Sequence, residues 1–548
     1  MDEFDWDMQK NRIDLRNNIA MRMDGLDTLS DHKLMDIDFS GSEFVSMPID
    51  KNSLRFFCLE AAYDLNENVI RAGDVKLIRI GDGALFPGNG LVTIFSDADI
   101  APLTQAVIIA DSLHKYHTIY DADVTIRGKN SISGNGFYDY YNLFDEVQPI
   151  AFTQLSVNKA GNITAQAEIP QNRPFQVSPV IDFYGDITLI SKDKYLNFDG
   201  GFRLRQDCYQ EETWVKVNQP INPDNVSLPS HDSLVDVKNK PVYTGLAFET
   251  IANRIYPVFF GTLRKQTDFF ILKSSGVMTY DNIAEEYRIR DTVRYTGFPE
   301  NGNYLNLNVR RCVMDGQGEI DLGVDFHRVT MKNFGKSTHY IIPDSTDFAL
   351  LSGLNFFFNA DALDAMGKAF SAAELPGVSL SRKEFLNALA LMVDPVTYER
   401  LAGEIALYGT FRRFPEALDY SILFSDLHLY WNTYTRSFIS HGPIGISKIG
   451  KRQINKYAEG YVEVVRHQSA DVINILLRVG DGNWYFFSYS DGILQAISSS
   501  MQFNEAIINT KDKHRKLKRE KELKPYQYII STTNKMSTFV EKMSDSTP

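Results

Sequence analysis

The feature that most constrains this chain is a period of two in its apolar residues, sustained with regular turn punctuation up to about Phe358. An apolar side chain at every second position is what a half-buried strand demands, because successive Cβ atoms point to opposite faces of a sheet. In "LVTIFSDADI" Val92 and Ile94 alternate with polar neighbours, and "DADVTIRG" repeats the pattern with Val124 and Ile126. The longest instance is "GEIDLGVDFHRVTM". There Ile320, Leu322, Val324 and Phe326 fall on one face, and Glu319, Asp321, Asp325 and His327 on the other, which predicts one continuous strand. Between such runs stand "GDG" at Gly81–Gly83, "PGNG" at Pro87–Gly90 and "KAGN" at Lys159–Asn162, residue types that accept tight turns. Helical spacing is nearly absent from this section. An aromatic content of 12%, with 27 Tyr and 36 Phe, favours the same β reading.

Two stretches say how the strands are joined. "DMQKNRI" from Asp7 and "DLNENVI" from Asp64 share one pattern at an offset of 57 residues. Each reads as a strand, a tight turn ending on Asn, and a returning strand, since Asn tolerates the left-handed backbone such a turn needs. A second echo carries glycine: "ISGNGFYD", "FDGGFRL" and "MDGQGEID". Glycine there permits a bulge or a close backbone approach at the head of each strand. Hairpins that cannot bury a face alone must stack, so the expected fold is mainly β: an elongated, repetitive antiparallel domain of jelly-roll, sandwich or solenoid-like form.

After Phe358 the spacing changes. "NADALDAMGKAFSAAEL" and "SRKEFLNALALMVDPVTYERLAGEIALYG" are helical, with Phe385, Leu389 and Met392 on one face. Ser381 and Glu384 have the spacing of a capping box. Strands return in "YSILFSDLHLYWN" and in "VINILLRVGDGNWYFFSYS", where Asp481-Gly482 supplies the turn. A last helix is expected over about Met501 to Lys524, its basic run at Lys511–Lys524 a solvated charged face. The expected division is 1–150 and 151–358 for the β-domain, then 359–548 for a smaller α+β domain with a helical insert.

Charge and cysteine bound the function. With 57 Lys and Arg against 70 Asp and Glu the net charge is −13, which argues against nucleic acid as a partner. No apolar run reaches the ~20 residues of a membrane-spanning helix. Met1 is followed by acidic "DEFDWDMQKN", unlike a secretory signal, and is read as an internal start with any targeting signal upstream. Cys58, Cys208 and Cys312 are scattered, form no CxxC pair, and are read as small buried residues within strands.

Candidate chemistry is sparse. Asp321, Asp325 and His327 would share one strand face, where two carboxylates and an imidazole could hold a metal or share a proton. A solvated outer face of a half-buried strand is the expected reading, and neither metal nor cofactor is expected. His114 and His117 stand three apart in a loop or strand context with no third ligand. Gly134-Asn135-Gly136 opens a dinucleotide fingerprint, but Asp139 stands at its third glycine and no helix follows. The aromatic stretches "FYDYYNLF" and "NWYFFSYS" hold more rings than one buried face needs. Phe137, Tyr138, Tyr140, Tyr141, Phe144, Trp484 and Tyr485 are therefore the candidate contact surface.

At "AAYDLNENVIRAGDVKLIRIGDG" the residues resemble the OstA-like repeats of lipopolysaccharide-transport proteins, through Tyr63-Asp64, Gly73-Asp74-Val75 and Gly81-Asp82. That resemblance covers roughly the first quarter and implies stacked β-units forming a groove for lipid. "YSILFSDLHLYWN" and "DGNWYFFSYSDGILQAISSS" look like the carboxyl-terminal part of a family of very large Bacteroidetes proteins. It implies a Gram-negative cell-envelope setting, periplasmic or outer-membrane associated, and brings no catalytic residues. "VTIRGKNSISGNGFYD" is similar to a turn of the parallel β-helix of pectin-degrading enzymes, yet no pair of aspartates accompanies it. The expected function is a non-catalytic envelope scaffold or binding protein engaging lipid or a protein partner. The alternatives are a lipid-conducting β-groove protein and a β-helix glycan-processing enzyme.

Overall fold

The computed structural model describes residues 3–16, 29–37, 42–46, 54–96, 98–210, 213–291, 303–467, 469–480, 482–518 and 524–546. The chain is mainly β, and its contacts divide it into two compact units. The first takes residues up to Arg205 with Trp214–Ser227 and Asp236–Lys238; the second takes Gln206–Thr213, Leu228–Val235 and everything from Asn239. The boundaries expected at 150 and 358 are therefore not where the chain divides. Residue 150 lies inside the strand Val147–Val157, and the strands on either side of 358, Ser345–Asn355 and Ile422–Asn432, pair with each other. The helical insert interrupts the sequence between two neighbouring strands without ending their sheet.

Among its described residues the first unit holds two antiparallel sheets. A five-stranded sheet runs Glu3–Asp7, Arg12–Arg16, Glu60–Asp64, Val69–Gly73 and Val92–Ile94. A thirteen-stranded sheet meanders from Val215–Pro220 at one end to Ser42–Val45 at the other, with Phe175–Ser178 added beside Ile181–Ile190. Among the described residues of this unit the one helix is the short Asp31–Leu34, seated on Leu77, Phe86 and Ile109.

The second unit is built on a fifteen-stranded sheet from Leu228–Ser230 to Gln527–Ile530, with Arg254–Gly261, Tyr243–Glu249 and Phe269–Lys273 forming a separate three-stranded sheet. Helices Ala360–Ala372, Lys383–Met392 and Pro395–Tyr408 form where the 3.6-residue spacing lay. Phe385, Leu389, Leu401 and Ile405 bury their stripe against Phe334, Leu351 and Leu423 of the sheet. Asn359 caps Ala360–Ala372 and Asp394 caps Pro395–Tyr408 by accepting backbone N–H bonds, and Gly409 ends Pro395–Tyr408 in the left-handed conformation. The capping box expected at Ser381 does not form. Arg382 takes the cap position and Ser381 instead hydrogen-bonds Ser379.

The repeated sentence of the sequence is a hairpin loop. Asp7 accepts hydrogen bonds from the N–H groups of Gln9 and Lys10, and Asp64 does the same for Asn66 and Glu67. Asn11 and Asn68 then take φ of 48° and 56°, turning the chain back. The same loop recurs in the second unit, from Asp281 to Glu285 and from Asn432 to Arg436. It is thus a local turn solution used in both units. The glycines of the second echo lie inside strands: a Cβ on Gly134 would stand 2.1 Å from the Asp123 carbonyl, beside a register shift in that ladder.

Three further expectations are corrected. The strand through "GEIDLGVDFHRVTM" ends at Ile320, because Gly323 and His327 take φ of 65° and 56° and break the ladder. Burial still alternates there, with Leu322 and Phe326 inside. The helix from Met501 stops at Ile508, the described residues of the basic run form the short turn Asp512–His514 while 519–523 lie outside the described residues, and a helix unforeseen in the sequence covers Thr533–Ser546. Cys208 and Cys312 lie outside strands and form a disulfide; only Cys58 is a buried strand cysteine. Their spacing in sequence gave no hint of the pairing, because a long-range contact set it. Asp481 lies outside the described residues; the turn there shows Gly480 and Gly482 at positive φ.

Candidate functional site

The five-stranded sheet of the first unit is two-faced, as its period of two dictates. Arg12, Asp14, Arg16, Glu60, Asp64 and Arg71 line a polar recess on one side. Their charges oppose one another across the ladder, with Arg12 opposite Asp64 and Arg16 opposite Glu60. Tyr63 and Ile70, paired across the second hairpin, point to the other side, and Ile94 extends that apolar row.

Against this apolar row lies the hairpin Ser42–Val45/Arg55–Cys58, which brings the stacked rings of Phe44 and Phe56, centroids 5.4 Å apart. The tight turn after Ile94, closed by Phe95 N–H donating to the Asp99 carbonyl and an Ile94–Ile100 bridge, adds Phe95, Ala98 and Ile100. Together they enclose a cavity of about 450 Å³, within the range of small-molecule sites. Its polar groups are few. The Tyr63 hydroxyl donates to the Asn68 side-chain oxygen. The Ser46 hydroxyl is buried with no hydrogen-bond partner among the described residues. None of the described lining residues is Asp, Glu, Lys, Arg or His. Such a chamber favours apolar surface, at about 0.8 kcal/mol per buried methylene, and rejects charge.

The expected aromatic surface separates into two classes. Phe137, Tyr141 and Phe144 are exposed, with Phe137 stacked on Tyr120, whose hydroxyl donates to Asp139. Tyr138 and Tyr140 turn to the other face of the same strand. Tyr140 is 3% exposed, donates to the Val177 carbonyl and meets Phe175 edge-on, so it belongs to the core. Burial pushes the Tyr138 hydroxyl up to about 12 beside His117 and Phe152. In the second stretch Tyr485 is buried against Phe370 and Phe503, while Trp484 is half-buried beside the last helix. Neither forms a free surface.

Asp321, Asp325 and His327 do not share a strand face. Asp321 accepts from the Gly323 N–H, and Asp325 bonds the His327 N–H and faces its ring at 3.2 Å. His114 pairs with Asp111, whereas His117 starts a strand, is buried and reaches the Asp193 carbonyl. A denser polar cluster, unforeseen in the sequence, lies in the second unit around Asp426. Burial raises that carboxyl, but hydrogen bonds from His428, Arg382 and Tyr457 outweigh it and bring it to about 2. Both its oxygens are engaged, which fits a cross-link between the helical insert and the sheet.

Compared with protein-family models, with curated proteins and with solved structures, the chain matches none. In the sequence the cavity was visible only as the apolar members of the second hairpin. Phe44 and Phe56 join it through a long-range approach that no local pattern records.

Proposed function

We propose that this chain is a non-catalytic binding protein of the bacterial cell envelope, and that its first unit holds an apolar ligand of acyl-chain type. The observation that carries this reading is the chamber of about 450 Å³ between Tyr63, Ile70 and Ile94 and the Phe44/Phe56 pair, whose described lining residues carry no charge. Its size suits holding one chain-like molecule, with a polar head left at the open side where Val45 and Phe95 are exposed. The resemblance of "AAYDLNENVIRAGDV" to lipid-groove repeats supports the same ligand class, since Tyr63, Asn68 and Ile70 lie in both. The Cys208–Cys312 disulfide supports an oxidising compartment such as the periplasm or cell surface. A protein partner is a second reading, favoured by the exposed group Phe137, Tyr141, Phe144 and Val147.

The chamber reading is tested by titrating the protein with a polyene fatty acid whose fluorescence rises in apolar surroundings. Saturable binding near one equivalent is expected. Ile70→Trp, which fills the chamber, should weaken it at least tenfold, while Tyr141→Ala should leave it unchanged. The opposite pattern would assign the signal to the exposed aromatic group.

A further inference from the structure

The hairpins of the second unit share one construction at one end of their sheet. Asp281 pairs with Glu286, and the register then runs through Asn308, Val313 and Tyr340 to Ser345. On the next strand Tyr430 faces Asp347, which sets the turn after Asn432 at the same end. Four hairpin turns therefore stand in a row along this end, about 10 Å apart, since each step crosses two strands. They are laced together: the Val309 N–H donates to the Glu285 carbonyl, and the Ile341 N–H to the Cys312 carbonyl. A fifth turn, from the three-stranded sheet, joins them where the Trp431 indole N–H donates to the Asn253 carbonyl at 2.9 Å.

Each turn ends on a left-handed residue: Asn253, Glu285, Cys312, Asp344 and Arg436, at φ of 50° to 53°. Two residues before these stand Ile251, Ile283, Arg310, Ile342 and Tyr434. Ile251, Ile283, Ile342 and Tyr434 are 70%, 99%, 77% and 97% exposed. The turn itself does not ask for them. In the first unit the same position of the loops from Asp7 and Asp64 holds Gln9 and Asn66. A recurrent exposed apolar side chain that the local fold does not need marks a contact.

The form of the contact decides the partner. A protein interface has a contiguous, packed apolar core, whereas these side chains stand singly on separate tips with Asn282, Asp344 and Thr433 among them. A lipid surface accepts isolated apolar wedges, and tyrosine settles at its boundary with water. Between the Ile283 and Ile342 tips, Arg311 is exposed, and the Arg310 side chain is 79% exposed at 3.8 Å from Glu285. Such a pair has the charge to meet lipid phosphate.

We infer that this row of turns is a bilayer-docking edge. Ile251, Ile283, Ile342 and Tyr434 enter the headgroup layer, and Arg310 and Arg311 hold phosphates there. The inference does not rest on the apolar chamber of the first unit.

The test is flotation of the full chain with vesicles of phosphatidylcholine carrying a minor fraction of phosphatidylglycerol. Co-flotation is expected, and Ile251→Ser/Ile283→Ser/Ile342→Ser/Tyr434→Ser should weaken it at least tenfold with an unaltered circular dichroism spectrum. Arg310→Gln/Arg311→Gln should weaken it less, and Ile70→Trp or Tyr141→Ala not at all. In the separate variants Ile283→Trp and Ile342→Trp, the emission added to that of the wild type should shift to the blue on vesicle addition. Lipids brominated in the upper acyl chain should quench it. If the fourfold variant misfolds, these tryptophan variants decide alone. The inference is overturned if the fourfold variant floats as well as the wild type, if Ile70→Trp abolishes flotation, or if the added emission does not move. Absence of flotation would also overturn it and leave the tips to a protein partner.

Discussion

Cys208 and Cys312, 104 residues apart in sequence, are joined by a disulfide with their Cα atoms 5.2 Å apart. Cys208 lies in the short segment Gln206–Thr213 of the second unit, and Cys312 closes the loop between Tyr304–Asn308 and Val313–Ile320 at φ 50°. The bond therefore ties Cys208, which lies outside any strand, to a hairpin tip of the same unit. Closing so long a loop restricts the unfolded chain and contributes about 2–5 kcal/mol. The double variant Cys208→Ser/Cys312→Ser should melt several degrees lower in calorimetry under non-reducing conditions, and reductant should affect only the wild type. Equal melting of both proteins would mean that the bond is not made.

The shared hairpin loop makes a prediction of opposite signs. Asp64→Ala removes the acceptor of two backbone N–H groups and should cost about 1 kcal/mol in chemical denaturation. Arg436 occupies the left-handed position of its loop at φ 53°, which a side chain with Cβ resists. Arg436→Gly should therefore stabilise the second unit by about 0.5–1 kcal/mol. A loss of stability on Arg436→Gly would contradict the loop geometry.

His339 should contribute to the acid sensitivity of the second unit. It is buried in the strand Thr330–Tyr340, with Nδ1 2.8 Å from the Thr346 hydroxyl, and burial lowers its pKa to about 4. The folded state thus binds this proton less readily than the unfolded chain does. Its contribution is intact above about pH 6.5 and is lost progressively as pH falls towards 4, by up to about 3 kcal/mol. Urea midpoints measured from pH 7.5 to 4 should fall less steeply for His339→Gln than for the wild type. Parallel slopes would place the acid sensitivity elsewhere.

The legible part of this chain was what neighbours in sequence decide. Alternation such as Val124/Ile126 gave strands, Asn11 and Asn68 gave the turns, and the Phe385/Leu389 stripe gave a helix. What remained hidden was decided by distant contacts. "GEIDLGVDFHRVTM" alternates well, yet two residues at positive φ end its ladder, so alternation reported burial where it was read as pairing. Tyr140 and Tyr141 are adjacent and equally aromatic, but their opposite faces put one in the core and one in solvent. The chamber needs Phe44 and Tyr63 together, and the disulfide needs Cys208 beside Cys312; neither contact leaves a local pattern. The last helix, Thr533–Ser546, is polar overall and is held by Phe539 and Met543, with Met536 and Val540 beside them, packed on Leu476 and Phe486.

Occupation of the chamber is tested most directly by photoaffinity labelling with a diazirine fatty acid, followed by peptide mapping of the cross-links. Binding at the proposed site requires saturable labelling confined to the chamber walls: Phe44–Ser46, Leu54–Phe56, Tyr63–Ile70 and Ile94–Ile100, competed by unlabelled fatty acid and lost in Ile70→Trp. Labelling that does not saturate, or that concentrates at Phe137–Val147 and persists in Ile70→Trp, would contradict an acyl-binding role for this chamber.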